Sequence, residues 1–394
     1  MKKGITAPKG YLASGISCGI KKNNKKDLAI IYSIVPAVVC GVTTQNKCVA
    51  APVIYSRKIL KKGIAQAIVI NSGNANAFTG KKGLIDSENM ANIASNELKI
   101  EKNKVLVAST GVIGKRLPMD KIKRGICIAS KKISQKGIDT AKAIMTTDRW
   151  IKIAEEKIKI NNKIVTIGAI SKGCGMIAPN MATMLAFLTT DASIDHGLLS
   201  KILKEIVNNT FNNIVVDGDT STNDMVIIMA NGKSGTAKIN NNSKEYFLFK
   251  KAVEKICLYL AKEIVKDGEG TKKIIKLIIN GAKTYKDAKK IKDTVLSSVL
   301  VKTSFYGNGL NLGRIMAAIG RSGVNINFEK ISLKIGKWKM IENGIINKTN
   351  KNINNYLRKK EIELNLNLIS GKKSITAYGC DMGFEYVKVN VSYN

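Results

Sequence analysis

The sequence predicts an α+β fold. Short apolar runs of strand character alternate with stretches of helical periodicity. Hairpin-length turns separate many of them, and the last stretch, residues 328–394, reads as strand-rich. That mixture suggests α+β more than a doubly wound sheet. The longest apolar run, 28–42, is interrupted by Tyr32, Ser33 and Pro36. A membrane helix needs ~20 apolar residues, so this run is expected to form strands in a soluble protein.

Further along, residues 67–70 (AIVI) read as a buried strand entering a turn-rich loop, 71–80 (NSGNANAFTG). Residues 104–108 (KVLVA) form a strand that runs into STGVIG, and 120–133 carries helical spacing. Residues 163–170 (KIVTIGAI) lead into the glycine-rich segment 171–180, and 184–188 (MLAFL) form the strand just beyond it. Residues 195–207 and 245–265 read as amphipathic helices, 274–279 (IIKLII) as a strand and 287–301 as one helix. A smaller C-terminal domain is expected from about Ala282, giving domains 1–281 and 282–394.

Composition narrows the function. The chain has 394 residues, 44% of them hydrophobic, enough for a large core. The seven cysteines are widely spaced with no C-x-x-C, which argues against a disulfide framework or a zinc site and for a reducing, cytoplasmic setting. Lys2 and Lys3 are not followed by an apolar segment, so no signal peptide is expected. The net charge of +36 raises the possibility of nucleic-acid binding. However, the lysines are scattered, aromatics are 5%, and Lys, Ile and Asn crowd together in KKNNKK, NNNSK and NKTNKNINN. Those three residue types share A/T-rich codons, so codon bias is the better explanation and no nucleic-acid partner is expected.

The single histidine, His196, restricts the catalytic options. It follows Asp195 at an expected helix start, where a solvated residue is the ordinary reading. No G-x-S-x-G elbow surrounds a plausible serine. The informative segment is 171–192, SKGCGMIAPNMATMLAFLTTDA. Its glycine-rich loop feeds an apolar strand through the small pair Ala182 and Thr183, a suitable place to hold a strained peptide. Attack by the Thr183 hydroxyl on the Ala182 carbonyl converts the amide to an ester, and hydrolysis then frees the Thr183 α-amine. With a pKa of ~8, that amine can take the proton of its own residue's hydroxyl, so no histidine is needed. Cys174 in the same loop is the rival nucleophile, with loop packing as its ordinary role. An Ala-Thr pair alone has no specificity, and these residues by themselves leave the question open. Asp217, Asp219 and Asp224 in DGDTSTND lack the spacing of a calcium loop and read as a structural turn, so no metal is expected.

Along its whole length the chain resembles the glutamate N-acetyltransferase / ornithine acetyltransferase family of arginine biosynthesis. The resemblance rests on NSGNANA (71–77), ASTGVIG (108–114), MTTD (145–148), KGCGMIAPNMATMLAFLTTD (172–191), DGDTSTND (217–224), DGEGT (267–271), GRIMAAIGRSG (313–323) and YGCD (378–381). It implies cleavage before Thr183, giving an α chain, 1–182, and a β chain, 183–394. It implies that Thr183 is the nucleophile and acetyl carrier, that Thr110 and Gly111 stabilise the oxyanion, and that Thr147, Lys172, Glu269 and Asn390 bind substrate. The implied substrates are N-acetylornithine and glutamate, with family members differing in their use of acetyl-CoA as donor. The implied fold is the layered α+β fold of N-terminal-nucleophile aminopeptidases, sheets flanked by helices, and the implied assembly is a heterotetramer of two α and two β chains with no cofactor. The chain departs from the family pattern at Phe78, Cys174, Gly309 and Leu312, and the family's last substrate-contacting threonine falls beyond Asn394. The alternatives are an amidase or aminopeptidase on the same scaffold, and a basic nucleic-acid-binding protein.

Overall fold

The computed structural model describes residues 3–178, 184–348 and 352–391, and they divide into two compact units. Unit one comprises residues 1–173, 180–212 and 220–261. Unit two comprises 174–179, 213–219 and 262–394. The division falls within one helix, where no change of composition marks it.

Unit one begins with β1 (Tyr11–Ile16), β2 (Leu28–Thr43), α1 (Ala51–Lys62), β3 (Ile64–Asn74), α2 (Gly80–Leu98), β4 (Val105–Val112), α3 (Met119–Lys131) and α4 (Ile138–Ile144). It continues with β5 (Lys152–Ile160), β6 (Lys163–Lys172), β7 (Leu185–Thr190) and α5 (His196–Asn209). After β8 (Ile214–Val215), which belongs to unit two, come β9 (Met225–Ala230) and α6 (Lys244–Lys266). The expected apolar run at 28–42 is a single strand, β2.

Among the described residues this unit forms one eight-stranded sheet, ordered β4-β3-β2-β9-β7-β6-β5, with β1 on β2. β3 and β4 are parallel, as are β7 and β9, and the other neighbours are antiparallel. The AIVI run explains itself here. Ile68 and Ile70 enter one apolar cluster with Phe187, Ile227 and Met229. Ala67 and Val69 enter another with Met90, Ile122 and Ile126 of α2 and α3. Alternate residues of a strand face opposite sides, so a strand covered on both faces is apolar throughout.

Unit two contains β8, β10 (Ile274–Ala282), α7 (Tyr285–Leu296), α8 (Val299–Tyr306), α9 (Leu312–Gly320), β11 (Ser332–Ile335), β12 (Trp338–Glu342) and β13 (Ile345–Ile346). It ends with α10 (Ile353–Leu357), β14 (Glu361–Asn367), β15 (Lys373–Cys380) and α11 (Phe384–Val391). Its described strands form a seven-stranded sheet, β13-β12-β11-β14-β10-β15-β8, around its own core. The α+β class holds, and no described helix is long and apolar enough to cross a membrane.

Three local expectations need correction. The helix expected over 287–301 is two helices. Ser298 takes an extended backbone and its side chain accepts the Val301 N–H, so it caps a new helix. The 71–80 loop begins as strand, since β3 continues to Asn74. The strand-rich end also holds two helices, α10 and α11.

Candidate active site

In unit one the site is built where parallel strands β3 and β4 end together. Ser72 faces Thr110 and Gly73 faces Gly111. Asn74 then faces both Thr110 and Val112, which marks a bulge. Gly111 has φ +131°, and a Cβ there would stand 2.4 Å from the Gly73 carbonyl carbon and 2.5 Å from the Asn74 nitrogen. Only glycine fits. Thr110 and Gly111 therefore lie within a kinked strand that runs on past the expected 104–108.

Buried amides hold this bulge. The Ser109 hydroxyl donates to Asn71 Oδ1 (2.6 Å), and Asn71 Nδ2 donates to the Asn74 carbonyl (2.8 Å). Asn223 Nδ2 donates to the carbonyls of Ala75 (2.6 Å) and Ser109 (2.9 Å). Strand ends that turn away from the sheet lose ladder partners, and side-chain amides replace them. Sequence reasoning assigned no role to Asn71, Asn74 or Asn223. The signal for Asn71 and Asn74 was three asparagines (71, 74 and 76) in seven residues after an apolar run; Asn223 carried no comparable signal.

Lys172, the last residue of β6, is 3% exposed. Its Nζ donates to Thr110 Oγ1 at 3.1 Å, and no carboxylate lies within ion-pair distance of it among the described residues. Thr147 lies in the turn between α4 and β5, next to Asp148. The Asp148 side chain is fully buried and pairs with the equally buried Lys152 at 2.7 Å. Asp148 also accepts the Gly173 N–H (2.7 Å) and the Thr146 N–H (2.9 Å). Burial alone would push its carboxyl up; Lys152, Lys172 and the Gly173 N–H override that and hold it at about 2.

Ala182 and Thr183 lie outside the described residues. The next residue, Met184, donates its N–H to Asp224 Oδ1 (2.9 Å), and its carbonyl accepts the Met225 N–H (3.2 Å). Asp224 is 1% exposed, and burial pushes its carboxyl well above the ordinary range. The Met184 N–H, Lys172 and the Ser221 hydroxyl offset this only in part. The DGDTSTND segment is the turn expected, and it holds the chain beside the expected scissile bond through Asp224.

In unit two, Asp217 accepts the N–H groups of Met176 (2.5 Å), Ile177 (2.8 Å) and Asp219 (3.1 Å), and burial raises its carboxyl to about 6. Cys174 is buried, and its carbonyl accepts the Glu269 N–H at 2.9 Å. Glu269 lies in the turn between α6 and β10. A Cβ on Gly175 would stand 2.6 Å from its carboxyl carbon, so a glycine there leaves room for the carboxylate. Asn390 Nδ2 donates to Glu269 Oε2 at 3.0 Å and to the Tyr386 carbonyl at 2.9 Å. Unit one thus gathers Thr110, Gly111, Thr147 and Lys172, and unit two gathers Glu269 and Asn390. His196 is solvent-exposed at the start of α5.

Comparison with known proteins is consistent in every direction. The ArgJ family model matches residues 12–394. "Arginine biosynthesis bifunctional protein ArgJ" of Oceanobacillus iheyensis is 43% identical over 394 residues, covering 99% of this chain and 96% of that protein. The protein of the same description from Caldanaerobacter subterraneus subsp. tengcongensis is 45% identical over 395 residues, covering 99% and 98%. The crystal structure of arginine biosynthesis bifunctional protein ArgJ from Bacillus halodurans is 39% identical with a TM-score of 0.51, over 52% of this chain and 98% of that one.

Proposed function

The chain belongs to the ArgJ family, and on that premise we propose that it moves an acetyl group from N-acetylornithine to glutamate through an ester on Thr183. Self-cleavage between Ala182 and Thr183 creates the α-amine that serves as base. The Thr183 hydroxyl attacks the acetyl carbonyl and the amine takes the hydroxyl proton. That proton passes to the departing nitrogen of ornithine, and glutamate's amine then attacks the ester in the reverse sense. Thr110 and Gly111 donate to the oxyanion in both halves. Lys172 pairs with the amino acid's carboxylate, Glu269 and Asn390 receive its ammonium-bearing end, and Thr147 completes the contacts.

The observation that carries this reading is the Gly111 bulge with Lys172 on Thr110: a backbone kink that only glycine permits, beside a buried cation with no carboxylate partner among the described residues. A cation in that state favours an anionic substrate. Sheet order also bears on cleavage. β7 and β9 of the β chain lie between β2 and β6 of the α chain, so cutting at Thr183 leaves the two products interleaved in one sheet. Two such pairs form a heterotetramer, and the enzyme works in the cytoplasm.

The test uses purified protein and intact mass. Wild type gives two chains, the second beginning at Thr183, and Thr183→Ala stays whole. N-acetylornithine alone releases ornithine and adds one acetyl mass to the β chain, and rates against both substrates give parallel double-reciprocal lines. Acetyl-CoA in place of N-acetylornithine reads donor use in the same assay. Intersecting lines with no acetylated Thr183 peptide would refute the double displacement.

A further inference from the structure

Lys172 and Asp148 sit in an arrangement that the acyl-transfer route does not explain. Lys172 needs to stay unpaired if it is to receive a substrate carboxylate, yet a buried carboxylate lies beside its own backbone. Asp148 Oδ1 accepts the N–H of Gly173, the next residue, at 2.7 Å. In a low-dielectric interior a carboxylate at that position is the natural partner of the Lys172 ammonium. The structure shows a different pairing. Lys152 Nζ meets the same Oδ1 at 2.7 Å, both side chains are fully buried, and among the described residues Lys172 Nζ bonds to the neutral hydroxyl of Thr110.

We propose that Asp148 and Lys152 are positioning residues for the acyl acceptor and donor: a buried ion pair that fixes the backbone at Gly173 and keeps Lys172 free for the substrate carboxylate. The pair does two separable things. Through the Gly173 and Thr146 N–H groups, Asp148 fixes where β6 ends, and so where the Lys172 side chain begins. Lys152 saturates the Asp148 charge, so that Lys172 does not collapse onto it. Lys152 is the first residue of β5, antiparallel to β6 and directly opposite Ser171, so its side chain is placed by the same sheet that places Lys172. The sequence leaves both residues unremarkable, Asp148 as the end of MTTD and Lys152 as one of many lysines.

This inference rests on the reading of Lys172 as the carboxylate partner, and a charge cycle separates the two. Glutamate binding is measured by calorimetry on the cleaved enzyme, with intact mass and melting temperature recorded for each variant. Lys152→Met leaves Asp148 charged and lets it capture Lys172. The expected result is glutamate binding weakened by ~10-fold or more, ~1.4 kcal/mol, with the protein still folded and cleaved. Asp148→Asn with Lys152→Met removes both charges and keeps an oxygen for the Gly173 N–H, giving up only the Thr146 contact made by the other carboxylate oxygen, and binding returns to within ~2–3-fold of wild type. The double variant also guards against a folding failure, since it leaves no unpaired charge from this pair. Normal binding by Lys152→Met, or equally poor binding by the single and double variants, overturns the proposal. Unchanged glutamate binding by Lys172→Met would instead overturn the reading beneath it.

Discussion

Replacing Gly111 by alanine tests the oxyanion assignment most directly. The added Cβ would stand 2.4 Å from the Gly73 carbonyl carbon and 2.5 Å from the Asn74 nitrogen, both backbone atoms that a rotamer change does not clear. At φ +131° the alanine is also strained, by on the order of 1–3 kcal/mol. The bulge must open, and the Gly111 N–H moves off its line. Loss of one oxyanion donor typically lowers kcat by ~10²–10³. Gly114→Ala is the control. Gly114 has φ +83°, and no other atom lies within 4 Å of a Cβ there, so only backbone strain of roughly 1–2 kcal/mol is expected. Steady-state acetyl transfer, expressed per cleaved molecule, is compared with thermal melts of both variants. Both should melt lower, and only Gly111→Ala should lose kcat. If Gly111→Ala works within ~3-fold of wild type, far short of the loss expected for a donor, the bulge supplies no oxyanion contact and the assignment fails.

Glu269→Gln should depress transfer by at least ~10-fold while leaving cleavage complete, because it removes the proposed substrate charge partner and leaves the Ala182–Thr183 bond untouched; an uncleaved variant would show that Glu269 supports the fold instead. Asp224 gives a pH signature. Its pKa is raised in the fold above 3.8, so its contribution is most favourable below 3.8 and worsens as pH rises toward the folded pKa. Asp224→Asn keeps an acceptor for the Met184 N–H, so it should raise Tm at about pH 8 and change it little near about pH 3.5. An equal shift at both pH values would exclude ionisation as the cause.

The sequence disclosed the parts of this molecule that depend on short-range pattern. The strands at 67–70, 163–170 and 274–279 form because apolar runs bounded by turn residues have few other outcomes. Helix α5 begins at His196, one residue past the expected start at 195. Long-range bookkeeping stayed hidden. Nothing near Gly111 announces that its neighbour is the Gly73 backbone, so the strand's extension past 108 and its bulge went unseen. Nothing in MTTD reveals that Asp148 meets Lys152 and the Gly173 N–H across the sheet. The split between α7 and α8 was visible in principle, since two serines interrupt the periodicity, but the apolar spacing on either side masked it. One cut between the two units falls within α6, and helix periodicity is blind to which core a turn packs on.

The +36 charge raises one last question, whether it touches the chemistry at all. Among the described residues the Lys and Asp side chains buried in the interior are five lysines (152, 172, 273, 292 and 302) and seven aspartates (27, 86, 148, 191, 224, 267 and 381), so the interior carries little of the positive excess. The surplus is therefore a surface property, as expected of codon-driven drift, where solvated lysines cost little. Its consequences are long-range and screenable. Like charges on one surface repel, so raising salt from about 0.01 M to about 0.3 M, which cuts the screening length from ~30 Å to below 10 Å, should raise Tm. The same field attracts anions. Glutamate carries a net negative charge near neutral pH and N-acetylornithine is net neutral, so salt should lower kcat/KM for glutamate more than for N-acetylornithine. Stability and glutamate capture thus move in opposite directions along one salt titration. If Tm falls with salt, or both substrates respond alike, the surface charge is not the uniform, substrate-attracting layer inferred for it.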